Sequence, residues 1–86
     1  MNITGTITRK TIKKLGGETI MELGIYMDKY YSTQEIIIYR EDLLEKLENI
    51  SLDDKVSLEV TKGKEENILK LIAVDIISIN NQKRSE

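Results

Sequence analysis

Apolar and polar residues alternate with period two along much of this chain. In Ile3–Thr8, Ile3, Gly5 and Ile7 share one face and threonines fill the other, the pattern of a half-buried strand. A basic segment continues to Leu15, and Gly16-Gly17 supplies a turn. A second strand is expected from about Glu18 to Asp28. Met21, Leu23, Ile25 and Met27 form its inward face, while Ile20, Glu22, Gly24, Tyr26 and Asp28 form the other. Gly5 and Gly24, set inside strands, point to bends or close backbone approach. After a polar connector with Tyr30 and Tyr31, a third strand spans Gln34 to Tyr39. Its run Ile36-Ile37-Ile38 needs burial on both faces or a partner on one. The period then changes. Leu43, Leu44, Leu47 and Ile50 recur at helical spacing after Glu41 and Asp42, with acids where the helix dipole favours them and Asn49 as a stop. Lys55–Thr61 alternates again as a fourth strand, 62–67 is a polar hairpin loop, and Ile68–Ile79 is a long fifth strand.

Three strands, one short helix and two more strands are expected, a mainly β chain. The order is that of a five-stranded OB-fold-like barrel with its helix between strands three and four. Residues 1–80 make one barrel domain and 81–86 a polar tail. The helix would plug one barrel end. In barrels of this order, strands two and three and the loops joining strands one–two and four–five often bind single-stranded nucleic acid.

Parts of the chain resemble bacterial single-stranded-DNA-binding proteins. The passage Tyr39-Arg40-Glu41-Asp42-Leu43-Leu44 through Asp53-Asp54-Lys55-Val56-Ser57-Leu58-Glu59-Val60 is similar to that family's path from helix to fourth strand. Ile3–Arg9 is similar to its opening strand and Leu71–Ile77 to its last. The resemblance implies a single-stranded nucleic-acid ligand. The chain departs from the family in lacking Trp and Phe for stacking and an acidic C-terminal tail.

Composition narrows the chemistry. There is no His and no Cys, which removes the commonest general base, a thiol nucleophile, disulfides and zinc-finger sites. No catalytic residue, metal site or cofactor is therefore assigned. No apolar run approaches the ~20 residues of a membrane span, and the N-terminus lacks a signal-peptide core, so a cytoplasmic domain is expected. A small chain of this kind would suit DNA metabolism of a phage or mobile element.

Net charge is −2, but unevenly spread. Residues 1–17 carry Arg9, Lys10, Lys13 and Lys14 and no acid, whereas residues 41–66 carry nine acids against four bases. A local basic face attracts an anionic ligand even on an acidic domain, although a basic strand end also serves simply as an edge that resists sheet pairing. The nucleic-acid reading assigns phosphate contacts to Arg9, Lys10, Lys13 and Lys14 in a basic first loop, and base stacking to Tyr26 and Tyr39. Against it stands an amphipathic rim role for each tyrosine. The second functional class is a protein-interaction or oligomerisation module that uses the Ile-rich face, with self-association expected. Asp53-Asp54 reads as a turn rather than a cation site, and Glu22 with Glu35 as two solvated acids rather than a carboxylate pair.

Overall fold

The computed structural model describes residues 1–63 and 70–80; the expected loop at 62–67 and tail at 81–86 fall largely or wholly outside them. Five strands and one helix follow in the expected order: β1 (Asn2–Leu15), β2 (Glu18–Met27), β3 (Ser32–Ile38), α1 (Glu41–Lys46), β4 (Lys55–Lys62) and β5 (Lys70–Asn80). The strands close into a barrel in the order β1-β2-β3-β5-β4. All pairings are antiparallel except β3 with β5, which is parallel. This is the OB-like barrel that the element order implies.

The core is aliphatic because the sequence offers no Phe or Trp. Inward pairs Met21↔Ile38 and Leu23↔Ile36 link β2 to β3. All four belong to a buried cluster with Ile3, Ile7, Ile25, Val56, Leu58, Val60 and Leu71. Leu43, Leu47 and Ile50 close one barrel end, with Leu44 partly buried against them. The Ile-rich run splits by strand parity. Ile36 and Ile38 are fully buried, while Ile37 faces outward between Glu22 of β2 and Ile72 of β5.

Closure depends on β1, which pairs with β4 through Asn2–Thr6 and with β2 from Thr6 onward. Where it passes from one partner to the other, Gly5 lies against β2. A Cβ on Gly5 would sit 2.1 Å from the Tyr26 carbonyl oxygen. Only a glycine permits that approach.

Between Ile7 and Arg9 the β1–β2 register shifts, leaving Thr8 as the extra residue of a bulge. The Thr8 hydroxyl donates to the Gly24 carbonyl at 3.2 Å. Beyond it the strand changes phase. Ile3 and Ile7 point inward before the bulge, whereas Lys10 and Ile12, paired with Leu23 and Met21, take the inward side after it. The basic segment is thus strand, not loop. The β1–β2 connection is only Gly16-Gly17, both at positive φ (56° and 86°) where glycine is favoured.

The helix is shorter than its sequence pattern, ending at Lys46 and continuing as tighter turns to Ile50. No side chain caps its N-terminus. Instead the Arg40 guanidinium grips the Asp42 carboxylate (2.6 and 3.1 Å) and donates to the Val74 carbonyl (2.7 Å). Val74 has no β4 partner where that register shifts. One side chain therefore fastens the helix start to β5. At the other end Asp54, fully buried, receives the Ser51 N–H at 2.8 Å, and the turn is stitched to Ile7 of β1 by two backbone hydrogen bonds. Asp54 thus anchors a turn, in keeping with the turn reading of Asp53-Asp54.

Candidate functional site

The outer face of β1–β2–β3 carries Arg9 and Lys13 from β1, Glu22, Gly24 and Tyr26 from β2, and Thr33, Glu35 and Ile37 from β3. Arg9 is opposite Gly24, which is opposite Glu35. Because Gly24 has no side chain, the guanidinium crosses β2 and meets Glu35 of β3 at 2.7 Å. A Cβ on Gly24 would lie 3.3 Å from both the Arg9 Cβ and the Thr8 hydroxyl. Glu22 lies 3.8 Å from Arg9 and 3.4 Å from Lys13. The two acids do not pair with each other but converge on Arg9. The two cations and two carboxylates balance, so this patch by itself has little net field.

Lys10 lies on the other side of β1. Its ammonium donates to the carbonyls of Glu48 and Ile50 (2.8 and 2.9 Å), tying the strand to the C-terminal end of the helical segment. Lys14, exposed near the hairpin end, shares that side by strand parity. Tyr26 is half-buried in the outward register opposite Thr6 and Thr33. Tyr39 follows the end of β3, about 20 Å from Tyr26 if six residues of β2 separate their registers. The structure places Arg9, Lys13 and Tyr26 on one face, with Arg9 nearest Tyr26 and Lys13 about 20 Å further along β2. It does not bring Lys10, Lys14 or Tyr39 to that face.

A cleft beside Tyr26 was not singled out by sequence. About 440 Å³ in volume, it lies between the first half of β1 and the β2–β3 turn. Asn2, Thr4 and Thr6 form one wall, Lys29 and Tyr30 the other, and Lys55 of β4 an end. Asp28 also lines it. Neither lysine enters an ion pair among the described residues. Tyr30 and Tyr31 on the turn are 66% and 84% exposed, which leaves most of each side chain open to solvent. Tyr31 is held at φ 53°, a left-handed conformation costly for tyrosine. The signal for this cleft was the Lys29-Tyr30-Tyr31 triplet, but which residues face it depends on where β1 leaves β2.

A larger depression of about 540 Å³ lies at the helix end of the barrel. Among the described residues the β1–β2 hairpin has no third strand beyond Met21 and overhangs α1 as a two-stranded arm. Ile12, Met21, Leu44 and Tyr39 give this groove apolar surface, and Glu18, Glu41, Glu45 and Glu48 edge it. Glu41 is in the first helical turn, where the helix dipole favours a carboxylate.

Among the described residues no helix is long and apolar enough to cross a membrane. Comparisons with family models, with curated proteins and with solved structures give no match to this chain.

Proposed function

We propose that this chain is a non-catalytic module that binds single-stranded nucleic acid over a short footprint, along the outer face from Arg9 and Lys13, past Tyr26, into the cleft of Lys29, Tyr30 and Lys55. The observation that carries this reading is the cleft. It combines two ammonium groups that form no ion pair among the described residues, an exposed aromatic ring and the hydroxyl and amide groups of Thr4, Thr6 and Asn2, against the one carboxylate of Asp28. Ammonium groups suit phosphates, rings suit bases, and small polar groups suit sugar hydroxyls. The strand order adds support, since barrels of this order present ligands on β2 and β3. Along β2 the face runs about 23 Å from the register of Lys13 to Met27, room for a footprint near the short end of what one such barrel covers, about 4 nucleotides.

The balanced Arg9 patch makes binding weak. A phosphate must compete with Glu35 for Arg9. Labelled oligo-dT and oligo-rU, titrated by fluorescence anisotropy at two salt concentrations, test the reading. Weak, salt-sensitive binding with little sequence preference is expected. Lys29→Glu with Lys55→Glu should weaken every sequence alike and lower the salt slope by about 0.7 per lost contact. Tyr30→Ala and Tyr26→Ala should each cost about 1–3 kcal/mol per base unstacked, with little change in slope. Glu35→Gln, which frees Arg9, should tighten binding. No binding to either oligonucleotide at low salt would refute the reading.

A further inference from the structure

We infer that the groove between the β1–β2 arm and α1 is a second docking surface, which takes a protein segment carrying one or two central apolar side chains flanked by lysines or arginines. The argument starts from Ile12 and Tyr39, which are 52% and 44% exposed although they stand beside buried Met21 and half-buried Leu44. An aliphatic side chain left in water on an overhanging arm gains by being covered. What covers it is set by the edge. Glu18, Glu41, Glu45 and Glu48 line the groove, and among the described residues no lysine or arginine does; Lys14 shares this side of the hairpin but is not part of the lining. Four carboxylates around one depression repel a phosphate backbone and attract a cationic segment. This face therefore suits a ligand opposite in charge to the one proposed for the Lys29–Lys55 cleft.

The groove is also built in advance. Lys10 joins its strand wall to the carbonyls at the far end of its helical wall. Arg40 fastens the start of that helix to β5. Neither wall has to be ordered when a partner arrives, which lowers the cost of association. Lys10 and Arg40 are thus engaged in holding the walls, and among the described residues none of the four glutamates of the edge enters an ion pair.

The test uses the full chain and three labelled probes: a short peptide of alternating leucine and lysine, the same peptide with glutamate for lysine, and spermine. Anisotropy supplies affinities and amide chemical shifts supply location. The Leu-Lys peptide should bind, shift the amides of Ile12, Tyr39 and Leu44, and leave those of Lys29 and Tyr30 in place. Ile12→Asp should weaken it by about tenfold. Glu45→Gln and Glu48→Gln should each weaken it by about threefold and reduce its salt dependence. Lys29→Glu should leave it unchanged, which separates this surface from the nucleic-acid cleft. Ile12 is exposed, so Ile12→Asp should unfold at a temperature close to that of the parent chain, which checks that the fold is intact. Equal binding of the Leu-Glu peptide, equal binding of spermine, shifts located elsewhere, or no effect of Ile12→Asp would each overturn the inference. So would occupation of this groove by oligo-dT or by a second copy of the chain.

Discussion

Gly5→Ala should be among the most damaging single substitutions in this chain, although it adds only a methyl group. The added Cβ would meet the Tyr26 carbonyl oxygen at 2.1 Å, the Tyr26 carbonyl carbon at 2.8 Å and the Ile25 Cγ2 at 2.9 Å. Ordinary contact begins at 3.4 Å, so β1 and β2 must separate by up to about 1.3 Å. Two of the three atoms are backbone, and no rotamer change can clear them. Overpacking typically costs about 1–3 kcal/mol, and a clash with backbone at the barrel seam belongs at the upper end. At about 3 kcal/mol, a domain of this size should lose about 12–24 °C in Tm. Its total stability is itself only about 4–13 kcal/mol. Urea and thermal unfolding followed by circular dichroism measure the change. Gly24→Ala is the comparison, since its Cβ meets only side-chain atoms at 3.3 Å and beyond; it should cost less than Gly5→Ala while disturbing the Arg9–Glu35 pair. A Gly5→Ala protein whose Tm lies within about 4 °C of the parent would show that the seam has slack and that the reasoning is wrong.

Other outcomes follow from single contacts. Asp54→Ala should destabilise by about 1–3 kcal/mol, because it strips a buried turn of the acceptor for the Ser51 N–H; a change below about 0.5 kcal/mol in urea unfolding, the range of an ordinary surface substitution, would contradict that. Tyr31→Gly should stabilise by about 1 kcal/mol by relieving a left-handed tyrosine, read as a rise in the urea midpoint. The Arg40 guanidinium holds the Asp42 carboxyl below its ordinary pKa, chiefly by hydrogen bonding. What this pair adds is present above the unfolded carboxylate range and is lost as pH falls through the lowered pKa of Asp42. Carbon-13 titration should find the Asp42 midpoint below that of a free aspartate, and Arg40→Gln should raise it towards the free value.

The strand order was legible because β-branched and aliphatic residues alternate so regularly. Alternation puts Met21, Leu23, Ile25 and Met27 on the inward face, and all are buried. Ile36–Ile38 had to divide between faces, and they do. The basic segment was harder. Arg9-Lys10-Thr11-Ile12-Lys13-Lys14 carries no clean alternation, so it reads as loop, yet it pairs with β2 as far as Leu15. The bulge at Thr8 also breaks the phase set by Ile3 and Ile7, so extrapolation along β1 puts Arg9 on the wrong side. Local pattern is equally silent about long-range partners. Glu22 and Glu35 neutralise Arg9 only because three strands align at Gly24. Lys10 finds carbonyls at Glu48 and Ile50, about forty residues away along the chain. The helix pattern extended to Ile50 since turns after Lys46 keep Leu47 and Ile50 buried without α-helical geometry.

The extra residue at Thr8 divides β1 into two stretches that can evolve separately. Upstream, Ile3, Gly5 and Ile7 answer to barrel closure and tolerate little change. Downstream, the arm from Arg9 to Leu15 pairs with β2 alone among the described residues and presents one side to the Glu22–Glu35 patch and the other to the helix. Loss or gain of one residue in that arm would exchange its two sides while leaving Ile3 and Ile7 in register. A single-codon change in length there would carry the residues beyond it from the Glu22–Glu35 side to the helix side and the reverse, without touching the barrel seam.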